Sequence, residues 1–295
     1  MNDVILKKVK IRGVNIPLNK PIIAHLGTFT SWPYLCVDLI TNHKDVIGRS
    51  YIGPYLQEYL PAIASSIRVI IKNYIDKKIE PHSFYQNSMK SLSLLGFKGI
   101  ALYALAALDI AYWDAFAKIH KKPFADFLGG SVKNKIKAYN SRGLWLIDIK
   151  EIAKEAEILR KEGDFKALKL RIGRETYKQD IKAYNEVIKG AGPDISIMSD
   201  YNMCFTVKEA LRRCHELDDI GLFWFEEPIQ FNMLNDIKKL CEEIKTPIII
   251  GENFHGPKDA HDALLSNSCD MIMPDLMRIG GVSGWLKTAT IADIF

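Results

Sequence analysis

Apolar and polar positions alternate along residues 3–17 and again along 34–53, where the polar stretch "TNHKD" interrupts the alternation. A period of two predicts half-buried strands, with the polar stretch as a turn between two of them. The intervening "IIAHLGTFTSWP" contains a glycine and a proline and is predicted as a loop. Helical periodicity takes over near 57–77, 82–93 and 97–120. Strands followed by helices predict a small α+β domain over residues 1–125.

From residue 133 onward short apolar runs alternate with amphipathic ones. Six strands are predicted, at "KIKAYNS", "FKALKLRIG", "ISIMSDYN", "LFWFEEP", "TPIIIGEN" and "CDMIMPD". Helices are predicted near 149–162, 176–190, 206–219, 233–244, 257–266 and 282–294. Apolar strands repeated with helices imply a parallel sheet buried on both faces. Six such units over residues 133–295 predict an α/β fold, a TIM-type (β/α) barrel with six of its eight units. No G-x-G-x-x-G follows the first strand, which argues against a dinucleotide-binding sheet.

The acids change the picture from fold to chemistry. Four consecutive predicted strands end in a carboxylate, at Asp200, Glu226, Glu252 and Asp275, at intervals of 26, 26 and 23 residues. Barrel strand ends open onto one face, where barrel enzymes keep their active sites. A single strand-end acid is more often a helix cap or a surface ion pair. A matched set crowded on one face would repel itself without a cation, and an all-oxygen set suits a hard ion such as Mg²⁺. In "FWFEEP", Glu226 is therefore expected to bind metal. Glu227 is expected to face the other side of the strand and pair with a lysine or arginine. Lys169 and Arg171, two apart on the preceding strand, should face the same pocket. Three carboxylates, a divalent ion and these two cations sum to +1, which suits an anionic substrate. A metal facing cations can stabilise a carboxylate that loses its α-proton, through an enediolate.

The remaining composition narrows the class without changing it. The formal charge of +5 is spread along the chain with no basic run interleaved with aromatics, so no nucleic-acid partner is expected. Five well-separated cysteines without a C-x-x-C fit reduced thiols in a cytoplasm. The N-terminus lacks the pattern of a signal peptide. The apolar stretch 94–116 carries Lys98, Asp109 and Asp114 and is expected to be a buried helix rather than a membrane span.

In order and spacing, "ALKLRIG", "IMSDYN", "WFEEP", "IIGENF" and "MPDLMRIGGVSGW" resemble the mandelate racemase branch of the enolase superfamily. "IRGVNIPL", "GRSYIGPY" and "DIAYWDAFAKIHKKPFADFLGG" resemble that family's capping domain, so the likeness covers nearly the whole chain. It implies Asp200, Glu226 and Glu252 as Mg²⁺ ligands and Lys169 as the group that holds the substrate carboxylate. Arg171 and Asp275 fall on the family's catalytic positions. Asn202, Ser141, His25 and Tyr55 are the candidate substrate-binding residues, with loops around His25–Trp32 and Tyr51–Tyr55 closing over the substrate. The implied substrate is a small hydroxy acid or acid sugar, racemised or dehydrated, and the complete protein is expected to form a homo-oligomer.

Two departures from the pattern matter. Arg171 stands where the family has a lysine base, and presenting a neutral guanidine near pH 7 would cost roughly 7 kcal/mol or more. It is expected to act as an electrostatic clamp. The chain also ends inside or just after the sixth predicted helix, and none of its seven histidines follows the sixth strand, so the family's histidine base has no counterpart. A chain of this length is expected to lack turnover. The rival readings are a catalytically inactive metal-binding remnant, one half of a split protein, and a Schiff-base aldolase barrel using Lys169.

Overall fold

The structure, a computed structural model, describes residues 3–130 and 135–295. The domain start expected at residue 133 lies outside the described residues. Strands β1 (Leu6–Ala24), β2 (Gly27–Thr41) and β3 (Ile47–Ile52) form an antiparallel sheet in that order. The stretch expected to be a loop is instead the end of a long hairpin. Ile22 pairs with Phe29, Ile23 with Thr28 and Ala24 with Gly27, leaving only His25 and Leu26 to turn the chain. Pro33 is tolerated there because β3 reaches only as far as Leu35, so β2 has a partner on one side alone at that point.

Helices α1 (Leu60–Ile71) and α3 (Ile100–His120) pack on this sheet, α2 (Pro81–Leu92) packs on α3, and a short α4 (Phe124–Phe127) follows. Their core joins Leu35, Val37 and Leu39 to Ile63, Ile67 and Tyr112. Phe84 stacks on Tyr112 with ring centroids 4.1 Å apart. By length and composition α3 could cross a bilayer. Its faces are taken by β2, β3, α1, α2 and the C-terminal helix, and most of it is buried, as expected from its charges.

Five parallel strands follow, in the order β4 (Ala167–Arg171), β5 (Ser196–Asp200), β6 (Leu222–Glu226), β7 (Ile248–Ile250) and β8 (Met271–Ile272). Helix α5 (Ile149–Lys161) precedes β4, and between and after the strands run α6 (Tyr177–Ala191), α7 (Val207–Leu217), α8 (Leu234–Glu243), α9 (Pro257–Leu265) and α10 (Gly281–Ala292). The predicted first strand, "KIKAYNS", contributes one bridge, Asn140 to Leu168. Its lysines leave Ile136 as the only aliphatic side chain besides alanine, and Ile136 is 85% exposed. With little to bury, it adds no ladder.

Alternation sorts the sheet into two faces. Leu168, Leu170, Ile197, Phe225, Ile248 and Ile250 pack outward under the helices. Met198, Trp224 and Ile249 form an apolar layer on the other face, with Ala167 and Met271 against it. Lys169, Asp200 and Glu226 share that inner face, one step nearer the strands' C-terminal ends than Ala167, Met198 and Trp224.

Candidate active site

Register sets the site. Arg171 lies beside Asp200, and Asp200 beside Glu226, across neighbouring parallel strands. Lys169 Nζ sits between two acids, 3.0 Å from Asp200 Oδ2 and 2.7 Å from Glu226 Oε1, and all three side chains are buried. Burial disfavours the Lys169 charge, but Asp200 and Glu226 outweigh it and raise its pKa above the ordinary lysine range. Burial, with Asp200 next, pushes Glu226 up to about 8. Glu252 follows the short strand β7 across Gly251 and is raised in the same way, by burial and then by Asp200.

A hard cation fits this donor set. Among the described residues no three His, Cys, Asp or Glu groups are grouped closely enough to hold an ion, and Lys169 lies between two of the acids. Glu226 Oε2 is buried with no hydrogen-bond partner. A buried anionic oxygen without a donor is costly, and a divalent ion is the natural relief. All the available donors are oxygens.

Arg171 comes to the same pocket in a fixed pose. One terminal nitrogen donates to the carbonyls of Ser141 (2.7 Å) and Gly143 (3.1 Å). The guanidinium lies 3.7 Å from the Trp145 ring centroid, and Nε is 3.7 Å from Asp200 Oδ2. Burial lowers its pKa, opposed by Asp200. Ser141 therefore acts through its main-chain oxygen. Asn202 has φ +48°, donates its backbone N–H to Asp200 Oδ1 at 2.8 Å, and keeps a buried Oδ1 without a partner.

The hairpin tip reaches this face. His25 Nε2 lies 3.3 Å from the Ile172 carbonyl oxygen. Gly173 makes the approach possible: a methyl there would sit 2.7 Å from His25 Nε2. Tyr55 packs edge-on to Trp32 (5.2 Å), and the Arg278 guanidinium lies 4.9 Å from its ring. Asp275 accepts from Met277 N at 2.6 Å and caps the turn toward α10.

Glu227 differs from expectation. Its φ of +40° ends the strand, so alternation no longer decides its direction. Among the described residues it pairs with no lysine or arginine directly. Gly251 N donates to Oε1 (3.2 Å) and Asn253 Nδ2 to Oε2 (2.5 Å). Burial, then Glu252, pushes it up to about 7. Trp145, Asn253, Tyr103 and Arg278 were not anticipated. Their roles come from contacts between distant segments, and no local motif marks them.

A capped parallel α/β sheet with carboxylates and two cations at its strand ends has the build of a barrel enzyme's metal site. Residues 6–129 match the "Mandelate racemase / muconate lactonizing enzyme, N-terminal domain" family, and 151–295 match "Enolase C-terminal domain-like". The chain belongs to the enolase superfamily, in its mandelate racemase / muconate lactonizing enzyme family. A crystal structure of an enolase from alpha proteobacterium bal199 with bound magnesium is 37% identical, with TM-score 0.95, covering 99% of this chain and 80% of that one. An enolase from Bradyrhizobium, complexed with magnesium and mandelic acid, is 31% identical with TM-score 0.92, covering 100% and 80%. Arabinonate dehydratase of Saccharolobus solfataricus is 30% identical over 79% of this chain, a stretch that spans 63% of that enzyme's length.

Proposed function

We propose that the protein binds Mg²⁺ through Asp200, Glu226 and Glu252 and abstracts the α-proton of a small hydroxy acid or acid sugar, in a racemase- or dehydratase-type reaction. The observation that carries this reading is the buried trio of Lys169, Asp200 and Glu226, with Glu226 Oε2 left without a donor. When bound, the metal would add positive charge where the substrate carboxylate gains negative charge. Lys169, kept charged by its neighbours, would hold that carboxylate. His25 and Tyr55 would border the substrate from the capping side, and Asn202 from the strand end. We assign residues 1–125 to a capping domain and 133–295 to the barrel domain, and place the protein in the cytoplasm, as a homo-oligomer.

The Schiff-base reading fits less well, since an amine nucleophile must be neutral and Lys169 is held as a cation. A second reading, metal binding without turnover, is favoured by the pose of Arg171. Its guanidinium is bonded to two carbonyls and stacked on Trp145, which leaves no base on β4. Hydrogen–deuterium exchange at the α-carbon of mandelate and of aldonic and aldaric acids, followed by NMR in D₂O, separates the two. Mg²⁺-dependent exchange lost in Lys169→Met supports the enzyme. Normal Mg²⁺ binding with no exchange on any acid supports binding alone.

A further inference from the structure

Arg278 stands at a junction that the proposed chemistry does not use. It follows β8 in the turn before α10, yet its guanidinium joins three separate segments. Nε donates to the Tyr103 hydroxyl of α3 at 2.9 Å. The plane faces the Tyr55 ring at 4.9 Å. One terminal nitrogen donates to Asn253 Oδ1, and Asn253 Nδ2 donates onward to Glu227 Oε2 at 2.5 Å.

The polarity of this chain is forced. Arginine has only donors, so it must meet the amide oxygen of Asn253. The Asn253 nitrogen then points at Glu227, which must accept. Glu227 in turn holds two backbone amides that flank the acids. Oε1 accepts from Gly251 N, just before Glu252, and its main-chain oxygen accepts from Met203 N (2.7 Å), just after Asn202. Burying a carboxylate beside Glu252 is costly, and the fixed donors are what offset it.

We propose that Arg278 is a positioning residue that couples docking of the cap, through Tyr103 and Tyr55, to the placement of the strand-end acids, through Asn253 and Glu227. This deepens the reading above, but its first test needs no metal. Amide exchange of the metal-free protein, resolved at Gly251 and Met203, should rise about five-fold or more in Arg278→Lys, the equilibrium weight of one typical hydrogen bond. Lysine keeps the charge and loses the fork. Tyr103→Phe, a change wholly on the cap, should shift the same two amides in the same direction. Tyr74→Phe, whose hydroxyl bonds within the cap to Ser88, serves as the control and should leave them unchanged. Unchanged exchange in Arg278→Lys, or an effect of Tyr103→Phe no larger than that of Tyr74→Phe, overturns the coupling.

Calorimetry with Mg²⁺ gives an independent sign. Removing a positive charge near Glu252 should by Coulomb attraction alone tighten cation binding, whereas a positioning role makes Arg278→Met weaken it by about ten-fold or more. Tighter binding contradicts the proposal. A wild-type protein that binds no Mg²⁺ removes the functional reading and leaves the exchange experiment to decide the coupling.

Discussion

Replacing Lys169 with methionine keeps the stem and removes the charge between Asp200 and Glu226. At 3.0 and 2.7 Å, and an effective dielectric near 20, each contact is worth roughly 5 to 6 kcal/mol before desolvation. Desolvating a buried ammonium offsets much of that. The measured loss expected from stripping one partner out of a buried ion pair is about 3–5 kcal/mol. The loss should depend on pH. Glu226 already titrates at about 8, above its usual 4.5, so the native state holds a proton that the unfolded chain releases across that window. Stability of the metal-free wild type should therefore fall as pH rises from about 4.5 to 8, by at most about 1.4 kcal/mol per unit for one proton. Lys169 has a raised pKa, so its contribution is fully present below the ordinary lysine value and is lost only above it. Without Lys169, Glu226 holds its proton to higher pH, and the fall should continue beyond 8. Urea unfolding in EDTA at pH 7 and 9.5 checks this. Wild type and variant both keep the Glu226 proton below about 8, so the difference between them should grow by up to about 2 kcal/mol from pH 7 to 9.5. An equal difference at both values would refute the reasoning.

Asp109, buried in α3, accepts from Ser283 N (2.8 Å) and Oγ (2.7 Å) and so caps α10 from another helix; burial pushes it up to about 7. Asp109→Asn should remove one titration, so that the difference between wild type and variant in urea unfolding changes between pH 4.5 and 7.5 in favour of the variant. A difference independent of pH would rule out that titration. Gly190→Ala would drive a methyl into the Ala153 carbonyl oxygen where α6 crosses α5, and should cost about 1–3 kcal/mol in the same assay. A neutral result would mean that the two helices separate freely.

The rhythm of the second half was legible because each parallel strand is buried on both faces and each helix on one. Apolar runs and amphipathic runs then differ sharply. The strand-end acids were legible for the same reason, since a strand boundary and a carboxylate coincide at Asp200 and Glu226. The hairpin arms from Ile22 to Pro33 were misread because glycine and proline signal turns only where the backbone needs them. Here the pairing of Ile22 with Phe29 and of Asn15 with Pro33 carries the strands through. Glu227 could not be assigned by alternation, since its left-handed backbone stops the period at that residue. Arg278 and Asp109 take their roles from contacts spanning more than 170 residues, Arg278 to Tyr103 and Asp109 to Ser283. Local patterning carries no trace of such contacts.

The site itself is tested most directly by titrating Mg²⁺ into the wild-type chain and into Glu226→Gln at neutral pH by calorimetry, with circular dichroism confirming that both are folded. Glu226 supplies the buried oxygen that has no other partner. Saturable binding of one ion by the wild type is expected, weakened by more than about 100-fold in the variant, beyond the 10- to 100-fold typical of groups that only support a ligand. Binding of equal strength in the two proteins, or no binding by the folded wild type, would contradict the assignment of these carboxylates to a metal.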